Sequence, residues 1–310
     1  MGRACIDQTL ILPPDVFRNH KFPILDQWQS GGGQAATAAV IVSLLGGSSQ
    51  YAGVLGEDEA GDFLLREFAE FGVCTKNVLR LKDYRTPRAY ILVSESSGDR
   101  TVLYERTPEK KVCPLPLSDI ARARTLILDP EINQSDLQKI LQVRSDDCYI
   151  IYDAERRRGS LDEMMEHADF FIASETILDI EPDKKRLEML DYLSGRIRGH
   201  WLLTFGALGS LWLDKDGCGW HVGSLPDLKV VDTTGAGDVY HAAFAWNYPR
   251  TKDIVSAMKF ATVCAGFSVG FPGTRHHGLF DHDKINASLA DVSVRKLNRS
   301  GVQKLLCGKV

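Results

Sequence analysis

At 310 residues with 44% hydrophobic content, the chain can bury a large core, as one large domain or as one domain with a small appendage. A formal net charge of −4 without any long Lys/Arg block argues against a nucleic-acid-binding protein, and the short run Arg156-Arg157-Arg158 reads as a solvated face. No run of about 18 apolar residues occurs and the N-terminus carries no apolar signal region, so no membrane span is expected. Cys5, Cys74, Cys113, Cys148, Cys218, Cys264 and Cys307, odd in number and without Cys-x-x-Cys spacing, read as free thiols in a reducing, cytoplasmic setting.

In chain order, residues 8–30 show period-two alternation and read as β-hairpin material, as do residues 86–104 around the turn Ser96-Ser97-Gly98-Asp99. Between and beyond them, short apolar strands are predicted at 50–54, 125–128, 149–152, 170–173, 201–204 and 210–213. Helices are predicted at 35–45, 60–71, 135–143, 161–167, 183–196, 236–247 and 254–270. This alternation, from about residue 36 to about residue 300, predicts an α/β fold with a mainly parallel sheet covered by helices on both faces.

Three stretches carry candidate chemistry. Ser30-Gly31-Gly32-Gly33-Gln34-Ala35-Ala36-Thr37 puts three glycines before a small-residue helix, which suits either tight packing on a sheet or close approach of backbone amides to a ligand. Trp201-Leu202-Leu203-Thr204-Phe205-Gly206-Ala207-Leu208-Gly209 is an apolar strand entering a glycine turn, by itself an ordinary β-turn. Val231-Asp232-Thr233-Thr234-Gly235-Ala236-Gly237-Asp238 is the most specific. Small residues at a helix start turn several amides toward one point, where the helix dipole favours an anion. A carboxylate there is badly placed for binding phosphate and well placed to take a proton from a hydroxyl that attacks it. The plain alternative is a strand-to-helix turn capped by Asp232 or Asp238.

The octapeptide resembles the signature of the ribokinase/PfkB family of carbohydrate and nucleoside kinases. The resemblance implies a single kinase domain over 1–310, a ribokinase-like three-layer α/β/α sandwich whose segments 8–30 and 86–104 form a small β lid over the sugar. It makes Asp238 the catalytic base and Gly235, Ala236 and Gly237 the anion hole. On the acceptor side it points to Asp7, Gly32, Gly33, Gln34 and Thr37, with Gln34 and Thr37 standing where the family usually has two asparagines. On the nucleotide side it points to Thr204, Gly206 and Gly209; Ala261 and Cys264 on a following helix, closed by the loop at Gly273, either leave room for a flat adenine or serve ordinary helix packing. The family's Asn-x-x-Glu element reads Ser174-Glu175-Thr176-Ile177, which leaves Glu175 as the metal-side candidate. ATP and Mg²⁺ are the implied cofactors, and a monovalent cation and a homodimer through the lid stay open.

Among family members the motifs lie nearest to sulfofructose kinases, without their full sulfonate-binding set. Tyr104 and Glu131 stand where those enzymes use an asparagine and an arginine. Glu131, expected at the sheet edge facing the acceptor, would repel a sulfonate or phosphate, so a neutral monosaccharide is the expected acceptor. Lys21, Arg88, Arg100 and Arg106 keep an anionic sugar open, nucleosides are the runner-up, and a catalytically idle binding relative is the alternative outside enzymes. The usual opening strand of the family is nearly absent before Gly2 and Asp7, and a short apolar segment encoded upstream is the expectation.

Overall fold

The computed structural model describes residues 1–14, 20–96, 100–105, 115–154, 161–179 and 185–306. Arg106, Cys113, Cys307, Arg156-Arg157-Arg158, the 97–99 part of the lid turn and the 183–184 start of a predicted helix lie outside the described residues. The chain runs β1 (Cys5–Leu12), β2 (Asp26–Gly32), α1 (Gln34–Leu44), β3 (Gln50–Gly56), α2 (Glu59–Glu70), β4 (Cys74–Leu81), β5 (Arg88–Ser94) and β6 (Arg100–Tyr104). It continues with α3 (Leu117–Ile120), β7 (Thr125–Leu128), α4 (Gln134–Val143), β8 (Tyr149–Ala154), α5 (Leu161–His167), β9 (Phe170–Ser174), α6 (Arg186–Arg196) and β10 (His200–Thr204). Then follow β11 (Ser210–Leu213), β12 (Gly219–Val222), α7 (Ala236–Thr251), α8 (Ile254–Ser268), α9 (His282–Ser288), β13 (Val294–Leu297) and α10 (Arg299–Leu306). No helix among the described residues is long and apolar enough to cross a membrane.

The largest sheet has seven strands in the order β13-β12-β11-β10-β9-β8-β7. β7 to β10 are parallel, as the alternation of apolar strands and helices predicts, while β10 to β13 are antiparallel. Alternate residues of the parallel strands feed opposite cores. Ile150, Tyr152, Phe171, Ala173, Trp201 and Leu203 pack with α4, α5, α6 and α10. Ile151, Phe170, Ile172 and Leu202 pack with α1, α7 and α8. A strand buried on both sides reads as a continuous apolar run, and this is why β8, β9 and β10 are visible in the sequence. The edge strand β13, Val-Arg-Lys-Leu, carries two charges that discourage pairing with another chain and also hide it from a hydrophobicity search.

A four-stranded lid sheet, β2-β1-β5-β6, covers one end of the molecule. β3 and β4 form a separate parallel pair. Met1 and Gly2 lie between that pair and the large sheet: the Met1 amino group donates to Ile127 O at 2.7 Å, and the Tyr51 hydroxyl donates to Gly2 O at 2.8 Å.

Asp58 ties α2 to the approach of the lid. Its carboxylate caps α2 by accepting the Gly61 amide at 2.8 Å, and it also accepts the Thr86 amide at 2.8 Å and the Thr86 hydroxyl at 2.7 Å. Burial alone would raise its pKa, but the bonds from Thr86 and Gly61 and the charge of Arg80 together hold it below the ordinary carboxylate value. A depressed pKa adds stability above the unfolded-state value and loses it as pH falls toward the folded one. Asp58→Ala is therefore expected to cost about 1–2 kcal/mol at neutral pH. Urea unfolding of both proteins should show that gap closing through the acidic carboxylate range, and a gap that stays constant into acid would contradict this account.

Candidate active site

Strand register builds one wall of the site. Asp7 on β1 pairs with Ser30 on β2 and Ala89 on β5, and Thr9 pairs with Ile91. With period-two alternation, Asp7, Thr9, Ser30 and Ile91 share the lid face that looks toward α7. Facing them are Asp232, Thr234, Gly235 and Asp238 from the turn before α7 and its first helical turn, with Gly273 and Thr274 from the loop after α8. The space between is pinched to about 40 Å³. The acceptor candidate Asp7 and the base candidate Asp238 thus line the same cleft, although 231 positions separate them in the chain (238 − 7).

The octapeptide is braced from both sides. Gly235 is the N-cap of α7 in the left-handed conformation, φ 69° and ψ 5°. The Ala236 amide closes the turn onto Thr233 O at 3.3 Å, and the amides that follow it in the first turn of α7 have no carbonyl one turn earlier within the helix to bond. Asp232 accepts the Thr234 amide at 2.8 Å with one oxygen and the Gly273 amide at 2.9 Å with the other, locking the turn to the loop after α8. Arg100 on β6 donates to the Thr233 hydroxyl at 2.8 Å, which links the lid to the same turn. Thr234 Oγ1 is buried without a hydrogen-bond partner among the described residues, and the space where a Cβ on Gly237 would sit is empty. An unsatisfied hydroxyl beside open space at a helix N-terminus suits an incoming anion.

Behind the turn, the buried His241 ring places Nδ1 2.6 Å from Gly237 O and Nε2 3.3 Å from Ile172 O, with Asp153 Oδ1 at 3.4 Å. Burial lowers the His241 pKa. At the other wall, burial raises the pKa of the half-buried Asp7, opposed by the Cys5 thiol, which donates to it at 3.2 Å, and by the charge of Arg275.

The other acceptor candidates divide. Gly32 lies so near Asp7 that a Cβ would strike its carboxylate. Gly33 caps α1, and its carbonyl accepts the Thr37 amide at 2.8 Å; Gln34 opens the helix and stands outside the cleft lining. Thr37 lines the cleft, with its hydroxyl accepting from Arg275 at 3.0 Å. Two candidates fall elsewhere. Tyr104 ends β6 half exposed, and Glu131 forms an ion pair with Arg3 at 2.7 Å outside the cleft wall, because the Asp129 carboxylate draws the start of that loop back by accepting the Glu131 amide. The expectation that Glu131 faces the acceptor is corrected accordingly.

On the nucleotide side, Thr204 ends β10, and Gly206 opens a short 3₁₀ turn that Gly209 closes. Ala261 and Cys264 are wholly buried among core side chains of α8, which leaves them no surface to offer a nucleotide; their small size serves helix packing. Gly273 is drawn instead into the cleft lining beside Asp232. Glu175, just after β9, is held by Arg186 at 2.8 Å, and no cluster of three His, Cys, Asp or Glu side chains suited to a metal occurs among the described residues. Sequence reasoning missed Thr9 and Ile91 and did not single out Ser30, Thr234 and Thr274 within the stretches that hold them. The signal for Thr9, Ser30 and Ile91 is the strand register, which requires knowing which strands pair.

A glycine turn with a carboxylate at the head of a buried helix, facing a polar lid across a narrow cleft beside a mixed α/β sheet, fits a phosphotransferase of the sugar-kinase type. Residues 4–279 match the model of the pfkB family carbohydrate kinases, and the chain belongs to that family. It is 25% identical to mouse ketohexokinase over 260 residues, covering 80% of this chain and 87% of that protein. It is 27% identical to the ribokinase of Bacillus subtilis over 250 residues, covering 77% and 80%. The fold is that of Arabidopsis thaliana ribokinase complexed with ribose and ATP, with a TM-score of 0.71 at 21% identity, covering 98% of this chain and 96% of the other.

Proposed function

We propose that this kinase transfers the γ-phosphoryl group of ATP to a hydroxyl of a neutral monosaccharide, with Asp238 as the base. The observation that carries the acceptor class is the cleft wall. Asp7, Asp232 and Asp238 supply three carboxylates, Thr9, Ser30, Thr37 and Thr234 supply hydroxyls, and among the described residues the lining contains no cationic side chain. Such a wall accepts hydroxyl donors and repels a sugar that already carries a phosphate or sulfonate. Asp7 binds two sugar hydroxyls, and the Gly31 to Gly33 backbone supports them.

In the reaction, Asp238 takes the hydroxyl proton as that oxygen bonds to the γ-phosphorus and the bond to ADP breaks. First-turn amides of α7 and the Thr234 hydroxyl hold the transferring group. ATP enters this reading from the family and from the ATP complex of the Arabidopsis relative, with Thr204, Gly206 and Gly209 bordering it. Mg²⁺ would neutralise phosphate charge. The described residues offer it no cage, since Arg186 occupies Glu175, so it would rest on the nucleotide's phosphates and water. At about 40 Å³ the cleft is narrow, and opening of the lid for sugar entry belongs to this reading.

A second reading, a nucleoside acceptor, draws on a neighbouring cavity of about 500 Å³ that shares Ser30, Gly273 and Thr274 with the cleft and adds the aromatic side chains Trp28, Phe63 and Phe71. One assay separates the readings: coupled ADP formation with D-ribose, D-fructose, their phosphates, a sulfosugar and common ribonucleosides. A neutral monosaccharide should give the highest kcat/KM. Preference for a phosphorylated or sulfonated sugar would overturn the neutral acceptor, and preference for a ribonucleoside would move the substituent into the larger cavity.

A further inference from the structure

Arg275 is a cation buried where neither the anion turn nor the hydroxyl-binding glycines call for one. Its side chain is 1% exposed, two residues past the Gly273 that Asp232 anchors. Nη1 donates to Glu67 on α2, while Nη2 donates to Thr37 Oγ1 at 3.0 Å and to Gly32 O at 3.3 Å. The other oxygen of Glu67 accepts the Gly31 amide at 2.9 Å. A Cβ on Gly31 would collide with both Arg275 and Glu67, and a Cβ on Gly32 with Asp7. The ion pair thus grips the glycine end of β2, just ahead of α1, from one side while Asp7 meets it from the other.

We propose that Arg275, paired with Glu67, is a positioning residue of the acceptor site: it fixes the Gly31–Gly32 main chain and Thr37, and its charge balances the Asp7 carboxylate across Gly32. The inference rests on the acceptor reading given above. Around Asp7, burial favours the protonated acid, Glu67 on α2 and Asp232 before α7 act in the same sense, and the Cys5 thiol on β1 and Arg275 oppose them. Asp238 faces the same cleft from α7. A protonated Asp7 gives up part of its accepting capacity and gains a donor, so it holds two sugar hydroxyls poorly. Lysine at 275 would keep the charge and lose the fork that reaches Glu67, Gly32 and Thr37 together.

Two variants of the full chain test this: Arg275→Lys, and the double variant Arg275→Met with Glu67→Gln. The double variant removes both charges at similar volume and leaves no buried carboxylate unpaired. The first measurement needs no sugar: ¹³C NMR titration of the Asp7 carboxyl in aspartate-labelled protein, assigned with Asp7→Asn. Its midpoint should rise in the double variant, because the Arg275 charge it loses outweighs the Glu67 charge lost with it, and stay near wild type in Arg275→Lys. The second is KM and kcat for D-ribose or D-fructose, whichever the wild type uses. Both variants should raise KM about tenfold or more with kcat changed less than about threefold, the pattern of lost uniform binding. The double variant alone should recover affinity as pH is raised through its Asp7 midpoint.

An unchanged Asp7 midpoint in the folded double variant overturns the charge role, and wild-type KM in Arg275→Lys overturns the positioning role. Asp7→Asn separates this from the parent reading. If that variant also has wild-type KM, the acceptor site itself is misplaced; if its KM rises while the Arg275 variants bind normally, only the Arg275 inference fails.

Discussion

Asp238→Asn is expected to lower turnover by about 10²–10⁴-fold, the usual contribution of a positioned base. Asparagine keeps the shape of the side chain and cannot accept the acceptor's proton. Asp238 sits in the first turn of α7 and lines the cleft together with Asp7, the position that the proposed function asks of a base. Removing a negative charge beside a phosphate site relieves repulsion, so ATP affinity should be unchanged or slightly tighter. Steady-state kcat and calorimetric titration with ATP would read the two effects separately. A variant that keeps more than about a tenth of the wild-type rate would remove Asp238 from the role of base.

The parts of this molecule that are legible in the sequence are those decided locally. β7, β11 and α5 have the expected bounds, since each is a short run with one period between clear breaks. β4, Cys-Thr-Lys-Asn-Val-Leu-Arg-Leu, escapes because polar residues at both faces of an outer pair blur its period. The site divides along the same line. Asp238 and Gly235 are named by eight contiguous residues, whereas Arg275 and Glu67 are 208 positions apart and have meaning only as a pair. Glu131 shows the converse error: the strand before it is correctly bounded, and Asp129 turns the chain locally, but its side chain is held by Arg3, which no local pattern connects to it.

Gly235→Ala should be nearly as damaging to turnover as loss of the base, for a reason that is steric before it is chemical. A Cβ at this position would stand 2.7 Å from Thr274 Cγ2 and 3.3 Å from its hydroxyl. The left-handed backbone would add about 1–2 kcal/mol of its own for any residue with a side chain. Thr274 cannot simply retreat. Its neighbour Gly273 is bound to Asp232, and the same carboxylate holds the Thr234 amide, so moving the loop disturbs the turn it was meant to spare. The turn itself must give, and first-turn amides then point away from the transferring phosphoryl group. Misplacing one such donor costs about 10²–10³ in kcat. The accompanying loss of stability should be only about 1–3 kcal/mol, as for other locally strained residues. Adding Thr274→Ser removes the Cγ2 atom and nothing else from the contact. The double variant should therefore recover part of the rate while keeping the conformational penalty in its urea midpoint. If Gly235→Ala alone turns over within about tenfold of wild type, the turn does not have to hold its present shape for catalysis. If Thr274→Ser restores no activity, the left-handed backbone rather than the collision is what the glycine is there to permit.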